Sequence, residues 1–268
     1  MYTLVGADGK RNLVLEHGLG QLESKFCIVR DTKLETRQRL NDDERLILCA
    51  FVAAMDARTT ARRDHHKAQW GKSVELMDRM QEKIKNFTPE EREQARRRSR
   101  IEKTLSDNSV TLSGEEVRRI ASQPVQEMLT ATINTLAPRL LAMDMVVIET
   151  NTEPGFITSD NPCVWFDPEA YKRPPMFQTP GLGYETTEIT LPISPNQMLI
   201  FRQKLRFPEL YTLLPLNVVD ELNRRTRFNA YEYFVVNSNT KKDWWFDSGV
   251  EPEDSWNKLH SKLRGNDA

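Results

Sequence analysis

Between residues 12 and 33 apolar side chains recur at Leu15, Leu19, Leu22, Phe26 and Val29. The spacing is close to 3.6 residues and predicts a helix with one buried stripe. Gly18 and Gly20 weaken its first turns. Asn41 then precedes Asp42, Asp43 and Glu44. An N-cap followed by acids near the positive end of a helix predicts a second helix, running to about Arg62. Its apolar stretch, Leu46 to Met55, is too short to span a bilayer and reads as a buried helix. Val74, Met77, Met80 and Ile84 predict a helix over residues 70–84. Thr88-Pro89-Glu90-Glu91 has a cap, a proline at the first helical position and a capping-box glutamate. Ser113-Gly114-Glu115-Glu116 opens a further box, and a long helix is expected to about Ala142, bent or interrupted at Pro124 and Pro138.

After Met143 the pattern changes to short apolar runs. Met145 to Ile148 reads as a buried strand. Phe156 to Thr158 and Cys163 to Phe166 are expected strands on either side of Ser159-Asp160-Asn161-Pro162. Glu188 to Leu191 and Met198 to Phe201 form an expected antiparallel pair around Ser194-Pro195-Asn196. Val218 to Ala230 reads as a helix and Tyr233 to Val236 as a strand. The expected fold is α+β, with an N-terminal helical half packed with a C-terminal mixed, mostly antiparallel sheet. The chain divides into a helical region, 1–142, a sheet-containing region, 143–240, and a polar aromatic tail, 241–268. One core shared by the first two is an equal alternative.

Composition narrows the class. Charged residues make up 29% and the hydrophobic set 38% of 268 residues, which is polar but compatible with a sizeable core. The net charge of −1 gives no global attraction for nucleic acid. Three widely spaced cysteines fit neither a zinc site nor a disulfide framework, so a reducing, cytoplasmic setting is expected. The N-terminal residues lack a signal-peptide pattern, and no membrane span is expected.

Four stretches resemble the bacterial family DUF4238. They are Leu15-Glu16 with Leu22-Glu23; Phe51 to Thr59, ending in an Arg-Thr pair; Phe156 to Pro162 followed by Leu191-Pro192-Ile193-Ser194-Pro195; and Leu222-Asn223 with Asn229-Ala230. The resemblance covers most of the chain in the family's order. The sequence starts downstream of the His-Tyr-x-Pro-like segment with which members usually begin; either this member lacks it or the start is internal, and no role of that histidine is expected here. The resemblance implies a fold but no reaction.

Several residues carry candidate chemistry, each beside a structural alternative. Asp160 follows a strand and suits a metal ligand or a base; it equally suits bracing its own turn. With Glu149 and Glu188 it forms the expected metal set for Mg²⁺ or Mn²⁺, flanked by Ser159 and Asn161 as substrate-binding groups. The lysine that would accompany such a site is replaced by Thr190. Arg58 suits a charge clamp on phosphate, or an ion pair with Glu23. Arg58 and His65 also match, loosely, the Arg-to-His spacing of helical HEPN-type ribonucleases. The basic block Arg92, Arg96, Arg97, Arg98, Arg100 and Lys103 suits phosphates, but interleaved glutamates make a solvated face the commoner reading. Trp244, Trp245 and Trp256 suit a protein partner or fold back on the core.

Two functions follow. One is a metal-dependent phosphodiesterase or nuclease with Asp160, Glu188 and Arg58 as catalytic residues, in a setting such as bacterial defence or a toxin system. The other is a non-catalytic interaction or regulatory module.

Overall fold

The structure is a computed structural model that describes residues 4–5, 11–105, 112–204, 209–238 and 242–246, with the backbone alone at 4–5, 11–12 and 99–105. Two short strands, β1 (Leu4–Val5) and β2 (Arg11–Asn12), pair near the start. Among the described residues the α-helices that follow are α1 (Val14–Val29), α2 (Asp42–Ala57), α3 (Thr60–Lys85), α4 (Pro89–Leu105), α5 (Gly114–Ser122) and α6 (Pro124–Leu141). The strands β3 (Asp144–Glu149), β4 (Thr158–Ser159), β5 (Val164–Phe166), β6 (Glu188–Ser194), β7 (Gln197–Arg202) and β8 (Tyr211–Leu213) come next. Helix α7 (Leu216–Asn229) and strand β9 (Phe234–Val235) complete the second half. This is an α+β fold.

The main sheet has the order β5-β6-β7-β3-β8, antiparallel except for the β3–β8 pair. Alternation of side chains across a strand divides its residues between two faces. Met145, Val147, Leu199 and Phe201 join Phe26, Leu48, Val52, Leu136 and Leu140 of the helices in one buried cluster. Val146, Ile148, Met198 and Ile200 join Val219 and Leu222 of α7 in another. The sheet is therefore sandwiched between α1, α2 and α6 on one side and α7 on the other. Residues on both sides of position 143 build the first cluster.

Local chemistry sets the helix boundaries. Asn41 and Glu44 form a reciprocal capping box at the start of α2, with N–H···O distances of 2.8 and 2.9 Å. The expected continuation of α2 to Arg62 does not occur. Arg58 leaves helical geometry at φ −94°, ψ 2°, and Thr59 is extended. The Thr59 hydroxyl then accepts from Arg62 N at 3.2 Å and starts a new helix, which runs without a break through Gly71. Pro124 occupies the first turn of α6 instead of kinking a longer helix, which separates α5 from α6. Phe156 and Ile157 are buried but unpaired in any sheet; only Thr158 and Ser159 pair, with β9. The edge strand β8 has no expected counterpart, because Tyr211-Thr212-Leu213 is too short to show a period.

Candidate functional site

The three carboxylates of the expected metal set lie apart, each committed to its own partners. Asp160 accepts main-chain N–H bonds from Tyr231 (2.9 Å), Glu232 (2.7 Å) and Tyr233 (3.4 Å), and so braces the loop that follows α7. Glu149 is buried and accepts from Arg37 Nε at 3.1 Å and Gln197 Nε2 at 3.0 Å. Glu188 accepts from Arg202 at 2.9 Å and Arg225 at 2.9 Å. Glu149 pairs with Gln197 and Glu188 with Arg202, at opposite ends of β7. Five residues of extended chain separate those ends by roughly 17 Å, well beyond metal-bridging reach. Among the described residues no three His, Cys, Asp or Glu side chains gather as a metal site.

Arg58 pairs with Glu23 of α1, and its other terminal nitrogen lies 2.9 Å from Met55 Sδ. It ties α1 to the end of α2. The Ser159 hydroxyl accepts from Asn161 N at 3.2 Å, a local turn bond. The Asn161 side chain donates to Asn229 O at 2.9 Å, and Asn229 Nδ2 donates to Asn161 O at 2.6 Å and Cys163 O at 3.1 Å. In the tail, Trp245 is wholly buried against the core, while Trp244 is partly exposed. Trp256 lies outside the described residues.

One recess collects chemistry. A cavity of about 430 Å³ opens between the start of α3, the Asn161–Trp165 segment and Asn229. Asp56 forms its back wall, buried, with Oδ1 accepting from Arg62 Nη2 at 2.9 Å and Trp165 Nε1 at 3.0 Å. Arg62 remains partly exposed, and its guanidinium carbon lies 5.9 Å from the Trp165 ring centroid. His65 lines the same recess one turn further along α3. Cys163 also lines it, but burial, reinforced by the Asp56 charge, pushes its thiol well up, so it is no thiolate nucleophile at neutral pH. Asp64 of α3 accepts from the Tyr231 hydroxyl at 3.0 Å, and Tyr231 N donates to Asp160, which links α3 to the loop after α7.

A family model described as a protein of unknown function, DUF4238, matches residues 1–241. The chain belongs to the DUF4238 family. No curated protein and no solved structure matches it. In this DUF4238 protein, three of the four stretches that carry the family likeness each supply a residue to the recess: Asp56, Asn161 and Asn229. Arg58 and Thr59 end one helix and cap the next, which aims Arg62 and His65. Asp160 and Asn161 fasten the opposite wall to the end of α7. The sequence reasoning missed Asp56, Arg62 and Trp165. Asp56 was open to detection, since it follows Val52 by one helical turn and falls on the apolar stripe of α2. Trp165 carries no such signal.

His66, next to the recess, gives a pH prediction. Burial, then the neighbouring His65 and Arg62, hold its imidazole below the ordinary value, against the pull of Asp56. The folded state thus disfavours the protonated ring, while the unfolded chain binds the proton near pH 6.5. This contribution is intact above about pH 6.5 and is lost as pH falls towards the depressed folded value. Urea midpoints of parent and His66→Gln at pH values of about 7.5 and 5.5 should show a smaller acid loss in the variant. Equal losses would remove His66 as the cause.

Proposed function

We propose that this DUF4238 protein binds and cleaves a phosphodiester at the α2–α3 recess by metal-independent acid–base chemistry. The observation that carries the reading is the pairing of Arg62 and His65, one turn apart on α3, in an open recess with the Asp56 carboxylate holding the guanidinium from behind. Arg62 supplies a fixed positive charge for a phosphoryl oxygen. Among the described residues His65 is the imidazole that lines the recess, and it serves as the proton carrier. For a ribose substrate, His65 takes the 2′-hydroxyl proton as the 2′-oxygen bonds to phosphorus. The bond to the 5′-oxygen then breaks, and the imidazolium returns the proton to that leaving oxygen. Arg62 balances the charge that builds on the phosphoryl oxygens between these events.

The separate commitments of Asp160, Glu149 and Glu188 favour this route over the metal-dependent one. The test is cleavage of the dinucleotide UpA and of labelled RNA in EDTA. Parent protein should cleave both. His65→Gln should lose about 10²-fold or more, and Arg62→Gln about 10²-fold. Activity that vanishes in EDTA and returns with Mn²⁺, or that survives His65→Gln, rejects the mechanism.

A further inference from the structure

Positive charge is segregated onto one arm of the molecule. Residues 60–105, α3 through α4, hold thirteen Lys or Arg against eight Asp or Glu, a balance of +5 in a chain of net −1, which leaves −6 on the remainder. No residue of α3 is buried, and residues 89–98 of α4 are all exposed. Helical spacing places His65, Gln69, Lys72, Leu76, Arg79 and Lys83 in one row, alternately four and three residues apart. All six are exposed, and none is acidic. The acids of α3 lie off this row; Asp78, for instance, pairs with Arg118 of α5 at 2.6 Å. The row runs for roughly 27 Å from the recess to the α3–α4 elbow. There Ile84, Phe87 and Ala95 floor a hollow of about 630 Å³ walled by Arg92, Arg96 and Arg97, with Glu93 paired to Arg97 at 3.2 Å.

We propose that this row and elbow form a track for a single-stranded polynucleotide. Cations spaced along a helix suit successive phosphates, and an aromatic ring among arginines suits a stacked base. An anionic membrane is the weaker fit, because after Pro89 the described side chains of α4 include one apolar residue, Ala95, and offer no face to insert. The track's binding stands on the arm alone; delivery of the strand to His65 rests on the phosphodiesterase reading.

The experiment uses the full chain, with fluorescein-labelled oligouridylate and oligothymidylate of about 12 nucleotides, longer than the track. Anisotropy titrations over a range of NaCl concentrations compare the parent with the triple variant Lys72→Gln/Arg79→Gln/Lys83→Gln and with the control Lys172→Gln. Circular dichroism checks that α3 persists. The triple variant should bind at least about 10-fold more weakly, with a salt slope shallower by about 2, as expected for three lost phosphate contacts on a single strand. Turnover of UpA, too short to use the track, should be unchanged in the triple variant. Parental affinity for both oligonucleotides in the folded triple variant overturns the track. So does a parent that binds phosphatidylserine vesicles but neither oligonucleotide. Weakened strand binding with no UpA cleavage by any form supports the track and rejects the catalytic reading. UpA cleavage with unaltered strand binding in the triple variant does the reverse.

Discussion

Replacing Asn223 by Leu is expected to destabilise the protein by about 2–6 kcal/mol, the sum of two buried main-chain groups each left without a partner at about 1–3 kcal/mol. Asn223 is fully buried on α7. Its Oδ1 accepts from Ile157 N at 3.0 Å, and its Nδ2 donates to Gly155 O at 2.8 Å. The Gly155–Ile157 segment crosses the core without sheet partners of its own, so one amide side chain stands in for a neighbouring strand. Leucine has similar bulk and leaves no room for water to replace either bond. The matched control is Asn217→Leu on the same helix. Asn217 is exposed, and the change should stay within about 0.5 kcal/mol. Urea unfolding of both variants decides the matter. An Asn223→Leu protein as stable as the control would mean that the segment finds other partners and that α7 does not secure it.

The same clamp explains what was and was not legible in the sequence. The helices could be read because their caps are written in adjacent residues: Asn41 with Glu44, and Ser113 with Glu116. The hairpin of β6 and β7 could be read because Ile189, Leu191, Leu199 and Phe201 alternate with residues facing α7 or solvent. The break at Arg58 could not be read from periodicity, since the apolar stripe of α2 simply stops there, and the deciding bond is a hydroxyl cap three residues long. The acidic residues misled for a related reason. Asp160 follows a strand, Glu149 ends one and Glu188 begins one; catalytic carboxylates often sit at strand ends, but so do the carboxylates that brace loops. Strand order decides between these uses, and strand order is long-range. The register that sets Glu149 and Glu188 at opposite ends of β7 has no local sequence signature. The Arg62–Asp56–Trp165 contact joins residues 109 positions apart, so only the folded sheet reveals it.

Gly155→Ala tests the other attachment of that segment and is expected to be the most damaging Gly→Ala change among the described glycines. Gly155 has φ +77°, in the left-handed region, and a Cβ built there would sit 2.2 Å from the carbonyl oxygen of Pro195 and 3.0 Å from its carbonyl carbon. Both atoms are backbone, held in the turn between β6 and β7, so no side chain can swing aside. The adjacent Phe156 N donates to that same Pro195 oxygen at 2.7 Å, and Thr150 N donates to Asn196 O at 3.0 Å. Relief of the clash therefore requires the segment and the hairpin turn to separate. That movement breaks the Phe156 bond and begins to expose a ring that packs with Ile148 and Met198. Left-handed strain costs about 1–3 kcal/mol, the lost bond about 1, and partial exposure of a large aromatic about 1–3 more. The variant should lose more than about 3 kcal/mol or fail to accumulate folded protein. Gly71→Ala is the counterpart: it lies inside α3 with open space where the Cβ would go, and should raise stability by up to about 1 kcal/mol. Because both changes act on the same segment, and Asn223 Nδ2 bonds Gly155 O directly, combining Gly155→Ala with Asn223→Leu should cost less than the sum of the two, since either change already frees the segment. Strict additivity would show two independent attachments instead of one clamped strand.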